Sequence, residues 1–413
     1  MRDGSYVHTF WEDGVELIYL LLLFALLVVL MIRRVPLWAS MGISVLLGFF
    51  LYRIPLKDVG QILQLGIFSK ATLYLVLAFY SVTFLQRMME KRDHLRLAEE
   101  SLTRLFGSRR INATVVPFII GLLPAVGAVL MARPIVDTAA GDFLDAEERC
   151  FVTSFHRHIS EGFLPTYPSI ILAIELSKVP MTHFVGAMLP LVFLLFFLGF
   201  IFYVRKIPGS RGFKGGNKKA EVKHLIISLW GIGVSIILIL VFGLPVHVAV
   251  IPVLLLSFFV NRFTWEEIRP MFITAFETKL MLTTVAIMVF KELLAFAGVI
   301  DSLTAFFSGF ALPPIVVFGL VFFFGSVLAG GQAMIAMMLP VAVATLGSSL
   351  GLLVFIMSTV FIASQVSPTH ICLGVITEAY GLPFTSLIKK TMPVLLAFVL
   401  LSSLYSYVLY LIF

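Results

Sequence analysis

Long apolar runs, separated by short polar or basic segments, follow one another along almost the whole chain. A helix that crosses a bilayer needs about 20 predominantly apolar residues, and several runs approach or reach that length without interruption. The predicted spanning helices are Glu16–Ile32, Leu37–Leu51, Ala71–Met89, Phe184–Val204, His224–Phe242, Val246–Val260, Lys279–Ala297 and Leu387–Ile412. The pattern therefore predicts an all-α polytopic membrane protein.

Two further apolar stretches are broken by small residues near their middles. Asn112–Ala140 is broken at Pro124–Gly127, and Pro313–Gly347 is broken at Ala329–Gln332. Because glycine permits tight turns and close backbone approach, we expect each stretch to form a re-entrant hairpin. Close packing of two helices through small residues is the alternative explanation.

Two other stretches carry a Pro-Thr pair in their middle, at Pro165-Thr166 and at Pro368-Thr369. A proline removes one backbone N–H group and clashes with the preceding helical turn. Unpaired backbone groups cannot face lipid, so we expect these groups and the threonine hydroxyls to line a wet cavity or a bound ion. The alternative is a proline kink whose free groups are paired by a neighbouring helix.

The second half of the chain repeats features of the first half at a constant separation. The Pro-Thr pairs lie 203 residues apart, and the same separation relates Glu175 to Glu378 and Pro180 to Pro383. The two broken stretches recur at nearly the same separation. These matches indicate an internal repeat.

The repeat predicts how the chain is divided. Residues 1–206 form the first repeat, 207–220 a basic cytoplasmic linker, and 221–413 the second repeat. Each repeat contains five predicted crossings, one re-entrant hairpin and one helix interrupted by Pro-Thr. Since five is odd, the two repeats must be inverted relative to each other. Inverted repeats with interrupted helices are typical of secondary transporters.

Composition supports a membrane protein and excludes several other classes. Hydrophobic residues make up 60% of the 413 residues and charged residues 13%, whereas soluble domains are about 45–50% apolar and about 25% charged. The only cysteines, Cys150 and Cys372, lie in unrelated contexts, without the spacing of a disulfide framework or a metal site. The formal charge of +7 fits basic cytoplasmic loops better than binding to nucleic acid, which we do not expect.

Basic residues cluster in alternate loops and predict the orientation of the chain. They lie at Arg33-Arg34, between residues 87 and 110, between residues 205 and 223, and at Lys389-Lys390. Cytoplasmic loops are enriched in Lys and Arg, so we expect both termini outside a prokaryotic plasma membrane. The acidic N-terminal segment lacks the basic region of a cleavable signal peptide.

Charged and polar residues inside the apolar segments are candidates for function. Arg133 either holds an anionic substrate or pairs with Asp137, four residues later, in a cytoplasmic vestibule. His370, directly after the second Pro-Thr pair, binds an anion or a proton, or caps the interrupted helix. His158 and Glu161 belong to a polar stripe that leads to the first break and forms either a proton path or a solvated helix end.

Other polar residues carry weaker signals. Glu175 and Glu378 lie nine residues after their Pro-Thr pairs, about 13 Å along a helix, which favours a structural or gating role over ion coordination. His156 and His158 point to different faces of a helix, so no metal site is predicted with Glu161. The chain also lacks the common catalytic and nucleotide-binding motifs, and we predict that it is not an enzyme.

The predicted site is formed by the two hairpin tips, the two breaks and nearby charged residues. The predicted substrate- or ion-binding residues are Pro124, Gly127, Arg133, Pro165, Thr166, Gly330, Gly331, Gln332, Ser367, Pro368, Thr369 and His370. His158, Glu161, Glu175 and Glu378 are assigned to a proton path or to gating. No cofactor is predicted apart from a coupling Na⁺ or H⁺.

These motifs resemble the ion-transporter superfamily and, more narrowly, the prokaryotic domain-of-unknown-function family 401. The resemblance lies in Gly121–Gly127 with Arg133-Pro134, His158 through Pro168, Gly330-Gly331, Ser367–Leu373 and Glu378. It implies a scaffold and a transport domain in each protomer, a homodimer, and a site formed by hairpin tips and helix breaks. The Ser-Asn-Thr motif of several carboxylate-transporting relatives is replaced here, which argues against a di- or tricarboxylate substrate and Na⁺ coupling.

Taken together, these features predict a secondary active transporter of a small, anionic solute, coupled to Na⁺ or H⁺ and working by alternating access. Its partners would be the lipid bilayer, the solute and a second copy of the chain. A channel, an intramembrane enzyme and a scaffold protein on a degenerate transporter fold are the alternatives. Saturation and counterflow distinguish a carrier from a channel.

Overall fold

A computed structural model describes residues 10–122, 128–209, 217–299 and 312–412. Within these ranges the chain is overwhelmingly α-helical, which confirms the predicted all-α class. The helices of the first half are α1 (Phe10–Ile32), α2 (Leu37–Leu51), α3 (Leu56–Phe68), α4 (Lys70–Lys91), α5 (His94–Leu105), α6 (Arg109–Ile120), α7 (Ala128–Ala140), α8 (Ala146–His158), α9 (Pro168–Ser177) and α10 (Met181–Phe202).

The helices described in the second half begin at α11. Its described helices are α11 (Lys218–Leu240), α12 (Val246–Val260), α13 (Trp265–Thr274), α14 (Thr278–Phe296), α15 (Pro314–Ala329), α16 (Gly331–Leu346), α17 (Leu350–Ser364), α18 (Ile371–Ala379) and α19 (Phe384–Ile412). The predicted helices Leu37–Leu51 and Val246–Val260 have the predicted bounds. α1 and α11 both begin six residues before their predicted starts, at Phe10 and Lys218, and α11 therefore begins inside the predicted linker.

Several described segments are long and apolar enough to cross a membrane. By length and composition these are Leu56–Lys91, which combines α3 with α4, and the helices Met181–Phe202, Lys218–Leu240 and Phe384–Ile412. Many of their large apolar side chains are exposed, including Phe193, Phe197 and Leu400. Since exposed apolar side chains of this density need lipid rather than water around them, the chain is a multi-pass membrane protein.

Two short helices, α3 and α13, were not predicted because they are too short to span and contain polar residues. α3 packs closely on α14: a Cβ atom at Gly66 would lie 2.6 Å from the Cα atom of Val289. α13 is tied to the end of α4, where both Arg92 terminal nitrogens lie 2.8 Å from the Glu267 carboxylate. Hydrogen bonds from the Arg92 side chain, together with the backbone N–H of Thr264, lower the pKa of Glu267 to about 2.

The predicted helix breaks are present where the structure describes them. α15 ends at Ala329 and α16 begins at Gly331, and Gly330 between them has φ 88° and ψ 148°, a conformation that favours glycine. α6 packs on α7 and α15 packs on α16. Pro124 and Gly127, the predicted tip of the first hairpin, lie outside the described residues.

Candidate functional site

Each interrupted helix is hydrogen-bonded to the end of a neighbouring hairpin arm. In the first break, the Ser160 hydroxyl and the Tyr167 hydroxyl donate to the Gly121 carbonyl at 2.6 and 2.5 Å. In the second break, the Ser367 hydroxyl donates to the Val327 carbonyl at 2.7 Å. Both breaks therefore lie next to the hairpins, as the sequence predicts for a shared site.

A cavity of about 270 Å³ lies where the first break, the second break and the second hairpin meet. Glu161 and Tyr167 line it from the first break, Gly331 and Gln332 from the hairpin, and His370 from the second break. Three helices begin at this cavity, because α9 starts beside Tyr167, α16 starts at Gly331 and α18 starts after His370. Helix N-termini carry a partial positive charge and free N–H donors, which attract anions.

Two histidines from distant parts of the chain meet beside this cavity. The Nε2 atoms of His158 and His370 lie 3.1 Å apart, and 212 residues separate the two positions. One Glu161 carboxylate oxygen lies 3.9 Å from His158 Nε2, and the other lies 3.8 Å from His370 Nε2. Glu161, His158 and His370, all predicted from the sequence, thus form one cluster.

Hydrogen bonding assigns the proton positions of the neutral histidine pair. His158 Nδ1 lies 2.6 Å from the Ser154 carbonyl oxygen, and a carbonyl only accepts, so Nδ1 carries the hydrogen. The Nε2 atom of neutral His158 is then an acceptor, and His370 Nε2–H donates to it. His158 is fully buried, so the solvated helix end considered for this stripe does not fit the structure.

Arg157 places a permanent positive charge next to the cluster. Its side chain is 1% exposed and forms an ion pair with Glu161. An arginine keeps its charge even when it is buried, and Glu161 balances that charge. The cluster is therefore close to neutral while both imidazoles are neutral.

The two threonines of the Pro-Thr pairs have different surroundings. Thr166 is buried, and its hydroxyl has no hydrogen-bond partner among the described residues. It lines a neighbouring cavity of about 380 Å³ together with Arg87 and Glu277, and Pro168 borders both cavities. Thr369 is exposed, and its hydroxyl lies 2.7 Å from that of Ser367.

The prolines of the two breaks differ in burial in the same way as the threonines. Pro165 is buried and Pro368 is exposed. The backbone N–H of Thr369 also donates to the Ser367 hydroxyl at 3.2 Å. The second Pro-Thr pair therefore forms a local turn at the surface of the described chain, whereas Ser367 and His370 on either side of it face inward.

Arg133 is not brought to the cavity. Its Nε atom lies 3.3 Å from the Asp137 carboxylate, and its guanidinium carbon lies 4.7 Å from the centre of the Tyr380 ring. Asp137 also contacts Arg149 at 2.9 Å and the Tyr380 hydroxyl at 3.1 Å. This network corresponds to the vestibule ion pair, one of the two interpretations of Arg133.

The duplicated glutamates also lie apart from the cluster. Glu175 forms an ion pair with Lys178 and lines a separate cavity of about 330 Å³. Glu378 is exposed on α18. Neither residue is among those that line the cavity between the breaks.

Sequence reasoning missed Cys372, Arg157 and Tyr167 as members of the site. The ligand atoms of His158, His370 and Cys372 all lie within 4.8 Å of one another. Arg157 directly precedes His158, and Cys372 follows His370 by two residues, so their proximity to predicted residues was the available signal. Nothing in the sequence indicated that residues from the first and second halves of the chain would meet at this site.

The geometry defines a multi-pass α-helical membrane protein with a polar cavity between interrupted helices. The chain belongs to the family described as Protein of unknown function (DUF401), whose model matches residues 16–413, which confirms the narrower resemblance. Among solved structures, the YdaH transporter of Alcanivorax borkumensis is similar over 96% of this chain and 97% of that one, with 13% identity and a TM-score of 0.43. The comparison with curated proteins finds no match.

Proposed function

We propose that the protein is a secondary active transporter of a small anionic solute, which binds in the cavity between the two breaks. The observation that supports this most directly is the convergence of the N-termini of α9, α16 and α18 on one cavity. Half-helix N-termini at a binding site are the usual device by which transporters hold anionic groups.

The apolar part of the cavity lining narrows the class of solute. Met357, Val360 and Phe361 of α17 line the cavity together with Glu161 and His370. An anion that also carries an apolar part fits this division, since its charge lies at the helix N-termini and its apolar part contacts α17. A fully hydrated ion such as phosphate would make no apolar contact with these side chains.

Two contacts at the site support alternating access as the transport mechanism. The His158–His370 contact joins α8 to the segment that precedes α18, and Pro168 separates the central cavity from the larger one lined by Arg87 and Glu277. A movement that separates the breaks would open the site on one side, and a movement at Pro168 would open it on the other. The coupling ion, Na⁺ or H⁺, would bind in the same region.

Solute-driven flux into proteoliposomes tests this proposal. Purified protein is reconstituted with a pH-sensitive dye inside, and radiolabelled gluconate, phosphate or 2-oxoisocaproate is added outside, with and without a Na⁺ gradient, so that solute and proton entry are measured separately. We expect saturable uptake and counterflow with 2-oxoisocaproate, and loss of both in Glu161→Gln. The matched control is Ser364→Ala, which changes the position 203 residues later on the cavity wall.

The same measurement separates the alternatives. Flux that neither saturates nor shows counterflow indicates a channel and contradicts the carrier proposal. Uptake that depends on a Na⁺ gradient and moves no protons assigns Na⁺ as the coupling ion, and the reverse result assigns H⁺. Unchanged uptake in Glu161→Gln excludes this cavity as the site. The homodimer, the inverted repeats, the plasma-membrane location and the external termini remain predictions from the sequence.

A further inference from the structure

We propose that His158, His370 and Cys372 form a binding site for a divalent transition metal ion such as Zn²⁺. The three ligand atoms, two imidazole nitrogens and one sulfur, all lie within 4.8 Å of one another. Tetrahedral Zn²⁺ holds nitrogen and sulfur ligands about 3.3–3.6 Å apart, and the two Nε2 atoms are already 3.1 Å apart. Small side-chain rotations would therefore place one ion between all three atoms.

The surroundings of His158 prepare it as a metal ligand. Metal-binding histidines usually donate their second ring N–H to a carbonyl or carboxylate, which fixes the ring and its tautomer. His158 does this in the present structure, because Nδ1 lies 2.6 Å from the Ser154 carbonyl oxygen. Its Nε2 lone pair is thereby directed at His370, where the ion would lie.

A fourth ligand and the proton balance are also available. The Glu161 carboxylate lies 3.8–3.9 Å from the two Nε2 atoms, within reach of an ion that they hold. On binding, His370 shifts its hydrogen from Nε2 to Nδ1, and the Cys372 thiol releases its proton to solvent. Nitrogen and thiolate ligands favour Zn²⁺, Co²⁺ or Cu²⁺ over Mg²⁺ and Ca²⁺.

The site would connect two parts of the chain that the transport proposal requires to move. His158 ends α8, whereas His370 and Cys372 lie at the start of α18. A bound ion would hold the two interrupted helices together and block solute uptake. This consequence rests on the proposed function, but binding of the ion does not.

Cobalt titration of the purified full chain in detergent tests the site directly. Co²⁺ bound to a thiolate gives a charge-transfer band in the near ultraviolet, so the band reports coordination by cysteine. The chain provides a matched control, because its two cysteines are both free and buried and only Cys372 lies at the site. We expect the band in the unmodified protein and in Cys150→Ser, its loss in Cys372→Ser, and at least about tenfold weaker binding in His370→Ala.

A second measurement distinguishes loss of the metal site from failure of a variant to fold. Zn²⁺ should raise the melting temperature of the unmodified protein and of Cys150→Ser, and it should not raise that of Cys372→Ser, whose own melting transition shows that it is folded. Absence of the band in the unmodified protein, or a band that persists in Cys372→Ser, overturns the proposal. Because this assay involves no transport, such a result leaves the transporter proposal standing, and a failure of uptake leaves the metal site standing.

Discussion

The two helix breaks occupy matching positions in the chain but have opposite surroundings. The first break is buried and flanked by a charged group, the Arg157–Glu161 ion pair. At the second break, Pro368 and Thr369 are exposed. Positions 203 residues after Arg157 and Glu161 hold Val360 and Ser364, and both of these line the central cavity.

The two halves of the chain therefore both contain a helix break but contribute different chemistry to the cavity. The first half contributes the Glu161 carboxylate, and α17 of the second half contributes the apolar side chains Met357, Val360 and Phe361. His370 is the exception, because it reaches from the second break to His158 on the first side. A ligand in the cavity would therefore meet unlike walls, which gives it one preferred orientation.

The largest effect that would break this contrast is removal of the half-buried Glu161 carboxylate. Glu161→Gln removes the negative charge paired with the buried Arg157, and breaking a buried ion pair costs about 3–5 kcal/mol. We expect that loss in the free energy of unfolding, measured by denaturant titration in detergent. Ser364→Ala, which removes a hydroxyl bonded to the Phe361 carbonyl at 2.7 Å, should cost only about 1 kcal/mol.

A double substitution separates stability from function at the same position. Replacing a buried ion pair by apolar residues of similar volume is often neutral or stabilising, so Arg157→Met with Glu161→Leu should unfold much later in the titration than Glu161→Gln alone. Solute uptake should stay absent in both variants. Equal losses of stability in Glu161→Gln and Ser364→Ala would contradict the expected contribution of the Arg157–Glu161 ion pair to stability.

The sequence predicted the positions of the breaks because proline and glycine act locally on the backbone. Gly330 directly follows the end of α15, and Pro165 and Pro368 lie in the non-helical segments between α8 and α9 and between α17 and α18. No distant residue is needed to infer these breaks. The cluster itself depends on side chains that meet only after folding. Nothing near His158 in the sequence points to His370 or Cys372. The spacing of Arg133 and Asp137 allowed an ion pair, but nothing near them points to Tyr380.

A second comparison concerns the glycines that allow each hairpin to approach its break. A Cβ atom at Gly121 would lie 2.0 Å from the Arg157 carbonyl oxygen, and one at Gly331 would lie 2.5 Å from the Val360 side chain. Overpacking costs about 1–3 kcal/mol, and the backbone carbonyl of Arg157 yields less easily than a side chain. We expect Gly121→Ala to lower the melting temperature more than Gly331→Ala.

The partner residue provides the control for this prediction. Val360→Ala removes the methyl group nearest to Gly331 and should restore most of the stability of Gly331→Ala. No single side-chain truncation offers the same relief to Gly121→Ala, since the obstructing atom is in the main chain. Similar costs for both alanines, with no rescue by Val360→Ala, would mean that the two hairpins approach their breaks in the same way.

The smallest expected change in the free energy of unfolding comes from the two threonines. It is also the only change whose sign differs between the two breaks. Thr166 has a buried hydroxyl without a partner among the described residues, so Thr166→Val should leave the free energy of unfolding unchanged or raise it by about 1 kcal/mol. Thr369→Val removes the hydroxyl bond to Ser367 and should lower that free energy by about 0.5–1 kcal/mol. Both values come from the same denaturant titration.

Uptake measurements then test whether the unpaired Thr166 hydroxyl has a role in transport. The Thr166 hydroxyl faces the neighbouring cavity lined by Arg87 and Glu277, through which the solute would pass when the site opens at Pro168. Thr166→Val should therefore raise the solute concentration needed for half-maximal uptake while the protein stays stable. Thr369→Val should leave that concentration unchanged, because its hydroxyl is already bonded within the turn. A destabilised Thr166→Val with normal uptake would instead show that this hydroxyl supports the fold, and the two breaks would then differ only in their charged wall.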